Sequence, residues 1–434
     1  MRALLLALGE PQRGYPIAHI AGTSGKGSVS AMVAAVSGAA GLRVGVHMTP
    51  YLQSPLEKLA VGERLATPEE FVELVAWIRS RLEALEGDDP DFAPRYGSAW
   101  VALTFEFFRR RQVDLTVLEA GVGGRFDLTN VVLPAVAAVT SIGKDHLTSL
   151  GPTVEDVAHH KGGVFKPGVP AVAIERPGVE YAILKRCALE AGAPLSPLRE
   201  GVEFVGSGGL EPSFSYRGVN LEVRDVPLGL KGAHQIQNAA VASAVCDSLA
   251  GSGFPLTDEA LRAGLAGVRL PGRWEVVERA PEVILDGAHN PDKAAALRAA
   301  LLERRRGRRL ALVLGVLGYK AAGEIVAGIV PGVDLVVATE PHVYEKAPTP
   351  ARELAALARR HGVKVAVRPD PLQALDAALD FAGRDGLVCV TGSLYLVGQV
   401  RNRWFPAEEI ALQGTSWPEI SAAPRASAPT RHVS

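Results

Sequence analysis

Cysteine is scarce in this chain, and its scarcity excludes one class of protein. Cys187, Cys246 and Cys389 are the only cysteines in 434 residues, and they lie far apart in the sequence. Small secreted domains that depend on disulfides carry closely spaced cysteines in even numbers. We therefore expect buried thiols, a reducing compartment and a cytoplasmic protein.

An excess of charge is also missing. The 46 basic residues nearly balance the 47 acidic residues, which leaves a formal net charge of -1. No global field then draws the chain to nucleic acid or to an anionic membrane, so any anion-binding site must be local. The apolar run at residues 1–8 is too short to span a membrane and lacks a signal-peptide cleavage site. We expect a helix there and no membrane partner.

The order of the apolar runs predicts the fold class. Hydrophobic residues make up 47% of the sequence, and from Ile17 to about Val172 short strand-like runs alternate with longer helical stretches. The same alternation returns after Trp274. This order favours an α/β fold with parallel sheets covered by helices on both faces. Between residues 201 and 229, short alternating stretches with glycines predict antiparallel hairpins that form a small β-layer.

The chain is longer than one hydrophobic core normally supports, so at least two domains are expected. A turn at Pro271–Trp274 marks the predicted boundary. The first domain then covers residues 1–271 with a P-loop-type parallel sheet and the β-layer. The second, a Rossmann-like α/β domain, covers residues 272–411. Residues 412–434 are rich in Ser, Ala, Pro, Thr and Arg without periodicity, and a disordered tail is predicted there.

A glycine loop is the strongest local signal for a ligand. Residues 22–28 read Gly-Thr-Ser-Gly-Lys-Gly-Ser between the strand-like run Ile17–Ala21 and the helical run Val29–Val36. This order points backbone N–H groups at an anion, and Lys26 adds a full charge. The strict Walker pattern has Ser or Thr directly after the lysine and a wider glycine spacing, whereas Gly27 follows Lys26 here. A glycine turn used only for packing is the alternative, and the lysine argues against it.

Polar residues at three predicted strand ends are candidates for a magnesium site. Thr49, Glu119 and the pair Asp145–His146 each follow a short apolar run. The carboxyl ends of parallel strands meet at the edge where ligands bind, and Mg²⁺ prefers oxygen ligands. A lone acid there more often caps or faces solvent, and a lone histidine more often packs. Three such ends beside the glycine loop favour a metal–nucleotide site.

Five segments of the sequence resemble, in order, the signature segments of folylpolyglutamate synthase, a family of the Mur ligase superfamily. They are residues 22–28, 118–130, 142–146, 285–291 and 391–395. The resemblance extends from about Leu5 to Arg403. It implies an ATP-dependent ligase that adds L-glutamate to the γ-carboxyl of folates through an acyl-phosphate, with dihydrofolate synthase activity as a candidate second reaction. The partners it implies are small molecules, namely ATP, folate and L-glutamate, on a monomeric enzyme.

The resemblance also implies residue roles. Those for the ATP phosphates, adenine and ribose are Thr23, Ser24, Gly25, Lys26, Gly27, Ser28, Asn238, Arg273 and Asp286. Those for Mg²⁺ are Thr49, Glu119, His146 and Lys161, the last as a carbamate, with a monovalent cation as a further candidate cofactor. Lys26, Lys161 and His289 are the implied catalytic residues, and Phe126 and Ser393 the implied substrate contacts. Without the resemblance, Lys161 would be read as a solvated lysine.

The departures from the family pattern cluster where the acceptor would bind. Thr49–Leu52 replaces Ser-Pro-His-Leu, residues 95–98 replace Thr-x-Phe-Glu, and His160 replaces a glutamate. The acceptor is therefore a folate or, alternatively, another carboxylate such as a cell-wall precursor. A non-catalytic P-loop protein is the alternative of a different class. It predicts that Lys161→Ala or Glu119→Gln leaves function intact, whereas a ligase would lose nearly all activity.

Overall fold

The computed structural model describes residues 1–88, 96–143 and 146–420. Its first sheet is parallel except for two short strands at one edge, β3 and β4. The strands of this sheet are β1 (Ile17–Ala21), β2 (Val44–His47), β3 (Ala60–Val61), β4 (Arg64–Leu65), β5 (Leu115–Glu119), β6 (Val136–Val139), β7 (Ala171–Ile174) and β8 (Leu195–Leu198). Their spatial order is β4-β3-β2-β5-β1-β6-β7-β8, so the strand before the glycine loop is central.

Helices cover both faces of this sheet, as predicted for an α/β domain. Val136 and Ala138 of β6 belong to one hydrophobic core, whereas Ala137 and Val139 belong to a second core on the opposite face. Such a strand must be apolar at every position. The helices of the first domain are α1 (Arg2–Ala7), α2 (Lys26–Ala39), α3 (Pro68–Asp88), α4 (Tyr96–Arg110), α5 (Leu147–Leu150), α6 (Val154–Gly162), α7 (Val179–Ala191), α8 (Gln235–Gly251) and α9 (Asp258–Gly267), with 3₁₀ turns at Pro11–Arg13 and Pro55–Lys58.

The predicted β-layer is an antiparallel sheet of β9 (Phe204–Ser207), β10 (Ser213–Arg217) and β11 (Glu222–Pro227). Phe204 and Phe214 point inward with ring centroids 6.5 Å apart, and they share the core that contains Val241 of α8. The alternation of apolar and polar residues follows from burial of one face only. The layer therefore joins the first domain, as expected.

The second domain is a second α/β unit that begins with β12 at Glu275, directly after the predicted boundary turn. Its strands are β12 (Glu275–Arg279), β13 (Glu282–Leu285), β14 (Leu310–Leu314), β15 (Leu335–Ala338), β16 (Lys364–Val367) and β17 (Leu387–Thr391). They follow the order β12-β13-β17-β14-β15-β16, in which only β12 is antiparallel. Its helices are α10 (Pro291–Arg305), α11 (Ala322–Ile329), α12 (Ala351–Arg359), α13 (Pro371–Ala382) and α14 (Leu394–Arg401).

The chain then returns to the first domain, and this differs from the tail predicted from residue 412. Helix α15 (Ala407–Gln413) buries Ile410 in the core of the first domain, and Leu65 N donates to Gly414 O at 2.8 Å. The segment lacks a broad apolar face, so composition alone suggested disorder. Residues 421–434 of the predicted tail lie outside the described residues.

One smaller expectation is met. The three cysteines are free and buried, as predicted. Across the described residues, no helix is both long and apolar enough to cross a membrane.

Arg401 connects the two domains from a buried position. Its side chain is 1% exposed, and its Nε lies 2.8 Å and 3.0 Å from the two carboxylate oxygens of Glu275. Its guanidinium also donates to Gln53 of the first domain and to Ser416 O. Removing one partner of a buried ion pair leaves the other charge uncompensated.

We expect Arg401→Met to lower the free energy of unfolding by about 3–5 kcal/mol. Urea denaturation measures this loss. Arg403→Met is the matched control, because its pair with Asp376 is 43% and 59% exposed and should contribute at most about 1 kcal/mol. Equal losses in the two variants would contradict the role given to Arg401.

Candidate active site

The glycine loop lies between the end of β1 at Ala21 and the start of α2 at Lys26, as predicted. Ser141, which follows β6, holds the loop in place. Thr23 N donates to Ser141 O at 2.7 Å, and Ser24 N donates to Ser141 Oγ at 3.0 Å. The first N–H groups of a helix have no partner within it. The loop therefore presents a helix N-terminus that is suited to an anion.

Gly25 occupies a backbone conformation that favours glycine, with φ at +88°. A Cβ there would lie 2.2 Å from Asn238 Oδ1. Asn238 is itself held by a bond from its Nδ2 to Gln235 Oε1 at 2.8 Å. The loop and α8 thus approach each other too closely for any side chain at this position.

The Gly25→Ala variant is expected to bind a nucleoside triphosphate about tenfold more weakly, since a left-handed conformation costs alanine roughly 1–2 kcal/mol and the methyl group displaces Asn238. Isothermal titration with ATP measures the change. Gly38→Ala in α2 is the control, because a Cβ there meets nothing within 4 Å. Equal affinities for ATP in the two variants would refute the prediction.

Lys26 and Glu119 form the charged centre of the site. Lys26 Nζ donates to Gly22 O at 3.0 Å and lies 4.0 Å from Glu119 Oε1. Glu119 is 5% exposed at the carboxyl end of β5, and its Oε2 accepts a bond from Thr49 N at 3.3 Å. Burial raises the pKa of the Glu119 carboxyl, although Lys26 opposes the shift. A buried carboxylate of this kind gains from a further cation.

The donor set around Glu119 fits a hard divalent cation. Thr49 and His146 line the same cavity and add a hydroxyl oxygen and a ring nitrogen. In the part of the chain that the structure describes, no group of three or more His, Cys, Asp or Glu is assembled for a metal. Mg²⁺ typically binds through one or two carboxylates and completes its shell with phosphate oxygens and water. A single carboxylate beside a phosphate loop is consistent with that mode.

The second domain contributes a turn that faces the loop. Asp286 accepts bonds from Trp274 N and Ala288 N, both at 2.9 Å, and so ties the boundary turn to the loop that follows β13. Asn290 caps α10 and also donates to Ser24 Oγ at 3.4 Å, which links the second domain to the glycine loop. The two domains therefore enclose the site together.

His289 is neutral in this arrangement. Burial lowers the pKa of its ring well below the ordinary value, and the positive charges of Lys293 and Lys320 lower it further. Its Nδ1 lies 2.8 Å from Gly287 O, and its Nε2 lies 3.3 Å from Lys293 Nζ. In the neutral ring, Nδ1 then donates to the carbonyl and Nε2 accepts.

A cavity of about 400 Å³ between the domains brings most of the predicted residues together. Those that line it are Thr23, Ser24, Gly25, Lys26, Gly27, Ser28, Thr49, Glu119, His146, Asn238, Arg273, Asp286, His289 and Ser393. Ser393 is buried as the N-cap of α14, where its Oγ accepts a bond from Tyr395 N.

Two predicted residues do not line this cavity. Lys161 is buried on α6, and Phe126 is 81% exposed with its ring edge-on to His160 at 5.6 Å. The roles implied for both stay predictions. Lys144 and Asp145 of the third segment, and Arg95 among the departures, lie outside the described residues.

Several cavity residues were not predicted from the sequence. Among the described residues, six basic side chains line the cavity, against three acidic ones, Glu119, Asp286 and Asp292. The basic residues are Lys26, Lys231, Arg273, Lys293, Lys320 and Lys346. Lys320 and Lys346 follow β14 and β15, so their position after parallel strands could have identified them. The excess of positive charge is local in a chain that is neutral overall, as expected for an anion site.

Comparison with known proteins gives a consistent result. Residues 272–394 match the family model described as Mur ligase, glutamate ligase domain. The dihydrofolate synthase/folylpolyglutamate synthase of Mycobacterium tuberculosis is 34% identical over 92% of this chain and 88% of that protein. The folylpolyglutamate synthase of Lacticaseibacillus casei is 31% identical over 92% of both chains.

The fold agrees with these sequences. The crystal structure of M. tuberculosis folylpolyglutamate synthase complexed with ADP and AMPPCP superposes with a TM-score of 0.85 at 32% identity, over 93% of this chain and 94% of that one. Likeness of this extent includes both domains. The chain therefore belongs to the dihydrofolate synthase/folylpolyglutamate synthase family of Mur ligases.

Proposed function

We propose that this protein is an ATP-dependent ligase that joins L-glutamate to the γ-carboxyl of folates through an acyl-phosphate. The observation that carries the proposal is the interdomain cavity, in which the glycine loop and Glu119 face His289 and Ser393. Membership of the family supports the reaction class. Dihydrofolate synthesis is proposed as a second activity on the same site.

The first step is attack of the acceptor carboxylate on the γ-phosphorus of ATP, which forms an acyl-phosphate and releases ADP. Lys26, Arg273 and the first turn of α2 stabilise the charge of the transferring group, because preorganised donors act strongly in a site that excludes water. Asn238 and Asp286 hold the adenine and ribose ends. The grip of both domains on the nucleotide couples domain closure to assembly of the site.

In the second step the ammonium group of L-glutamate first loses a proton to solvent, and the resulting amine attacks the acyl carbon. The bond from that carbon to the phosphate oxygen breaks, and the departing phosphate takes the second proton from the nitrogen. A neutral His289 does not repel the incoming ammonium group, whereas a charged imidazolium would. Phe126 and Ser393 are proposed to contact the substrates. Closure also protects the acyl-phosphate from water.

Mg²⁺ is proposed as the cofactor, held by Thr49, Glu119, His146 and a carbamate of Lys161. It would supply charge neutralisation of the phosphates. A carbamate would turn the Lys161 ammonium into an oxygen ligand. We also propose a monovalent cation as a further cofactor, and that the enzyme is a monomer.

The test is an acceptor screen. Purified protein is incubated with ATP, Mg²⁺, labelled L-glutamate and either a reduced folate, dihydropteroate or an unrelated carboxylic acid. Phosphate release together with labelled folate product is the expected result. Release that depends on a non-folate carboxylate, or no release above background with any folate, would overturn the proposed acceptor.

A further inference from the structure

Three aromatic rings surround one lysine at the edge of the first domain. Lys58 Nζ lies 5.5 Å from the ring centroid of Tyr51, 5.8 Å from that of Tyr96 and 4.8 Å from that of Trp100. Tyr96 and Trp100 lie one turn apart on α4 with their rings edge to face at 6.2 Å. Rings at these distances attract a cation and hold it in a defined place. We call Lys58, Tyr51, Tyr96 and Trp100 the lysine cage.

A second lysine approaches the cage from the other domain. Lys346 Nζ donates to Tyr395 Oη at 2.8 Å and lies 4.9 Å from the centroid of that ring. Lys346 and Tyr395 both line the interdomain cavity. Gly398, one turn after Tyr395 on α14, packs against Leu52 so closely that a Cβ there would lie 2.0 Å from Leu52 O, which places this end of α14 beside Tyr51. Burial lowers the pKa of Lys58, and the charge of Lys346 lowers it further.

The two ammonium groups have no anionic partner in the described part of the chain. Among the side chains that the structure describes, no carboxylate lies within 4.0 Å of either one. The adjacent acid, Glu57, is already occupied, because it accepts bonds from the backbone N–H groups of Leu52, Gln53 and Ser54. Two like charges held near each other with no counter-ion among the described residues favour a further anion.

The cage is close to the centre of the proposed reaction. Thr49, whose N–H donates to Glu119, precedes Tyr51 by two residues, so the Cα atoms of Thr49 and Tyr51 are at most about 7.6 Å apart. Tyr51 itself borders a second cavity that Glu119 also lines. A molecule whose reacting carboxylate lies beside Glu119 can therefore place a second carboxylate towards the cage.

We infer that Lys58 and Lys346 form a clamp for a non-reacting carboxylate of the acceptor, with Tyr51 and Tyr96 against its aromatic portion. This inference rests on the proposed function. A folate that already carries a glutamyl residue has an α-carboxylate beside the reacting γ-carboxylate, whereas dihydropteroate has only the reacting one. The clamp therefore selects glutamylated acceptors and makes chain extension the preferred reaction.

The test compares acceptors of different charge in the Lys58→Met and Lys346→Met variants of the full chain. Methionine keeps an unbranched apolar side chain and removes the ammonium. The KM for a mono- or triglutamyl reduced folate should rise about tenfold or more in each variant, as for loss of a charge-assisted bond. The KM values for ATP, L-glutamate and dihydropteroate should change less than twofold. Lys58→Arg should keep the affinity for glutamylated folates.

Lys185→Met, on the exposed face of α7, is the matched control and should leave every KM unchanged. Lys346 is exposed, so its variant tests the clamp even if Lys58→Met folds poorly. A higher KM for L-glutamate alone would assign the lysines to the amino acid and overturn the inference. An equal rise for glutamylated folates and dihydropteroate would do the same. Failure of the wild-type protein to form any amide would instead remove the proposed function.

Discussion

Replacing Lys26 with methionine is expected to lower kcat/KM for ATP-dependent ligation at least about 100-fold, the scale seen when one preorganised group at a developing charge is removed. Lys26 supplies the full positive charge of the glycine loop. Its Nζ is held by Gly22 O at 3.0 Å, so the charge is in place before ATP binds. Release of phosphate in the presence of a reduced folate and L-glutamate measures the loss.

The control for this experiment is the same replacement at Lys185, which lies on the exposed face of α7. Lys185→Met should keep wild-type activity. Thermal unfolding of Lys26→Met separates a loss of chemistry from a loss of fold. A folded Lys26→Met protein with more than a tenth of wild-type activity would show that the loop does not act through this charge.

Replacing Glu119 with glutamine is expected to abolish activity by a similar factor, at least about 100-fold, without lowering the melting temperature. The amide can still accept the bond from Thr49 N but carries no charge for a metal. Magnesium should raise the melting temperature of the wild-type protein in the presence of ATP and have little effect on the variant, because only bound ligand stabilises the fold. Stabilisation of the variant equal to that of the wild type would refute the assignment of Glu119 to Mg²⁺.

The stability of the Glu119→Gln variant relative to the metal-free wild type should depend on pH. Burial raises the pKa of Glu119 in the folded state above its unfolded value. The resulting stabilisation is fully present below the unfolded pKa and is lost as the pH rises through the folded pKa. Glutamine stays neutral throughout, so any gain in stability of Glu119→Gln over the metal-free wild type should appear at neutral pH and vanish in acid.

Glu106→Gln is the contrasting variant. Burial acts against ionisation of Glu106, but hydrogen bonds from Arg109 and Arg110 outweigh it and hold the pKa of Glu106 below its ordinary value. Its stabilisation is therefore present above the unfolded pKa and lost as the pH falls. Glu106→Gln should lower the melting temperature at neutral pH and keep activity, the reverse of Glu119→Gln.

Much of the fold follows from apolar runs that are read directly in the sequence. The runs Leu115–Glu119 and Leu310–Leu314 are strands at the predicted bounds, because a strand covered on both faces must be apolar at nearly every position. Helix α15 was not predicted, because its sequence contains no continuous apolar run. Its one fully buried residue, Ile410, packs on a domain that is distant in sequence. Periodicity within seven residues does not reveal such a contact.

In the candidate site, too, some residues could be predicted from local sequence and others depended on the tertiary structure. Lys26 and Glu119 could be predicted because each lies next to a strand end, where local sequence and sheet geometry coincide. The pairing of Lys58 with Lys346 could not be predicted, since it depends on two residues that the fold brings near each other from two domains. Composition likewise indicated that an anion site must be local but could not locate the cluster of six basic residues around the cavity.

The sequence by itself determined the α/β class, the glycine loop with its lysine and the family resemblance, because these depend on residues adjacent in the chain. Only the tertiary structure decided which residues share the cavity, that His289 is neutral, and that two lysines of different domains lack an anionic partner in the described residues. Burial and the distance between charges set these properties. Both quantities arise when segments separated by hundreds of residues pack together, as when α14, whose Tyr395 binds Lys346, packs against Leu52 beside the lysine cage.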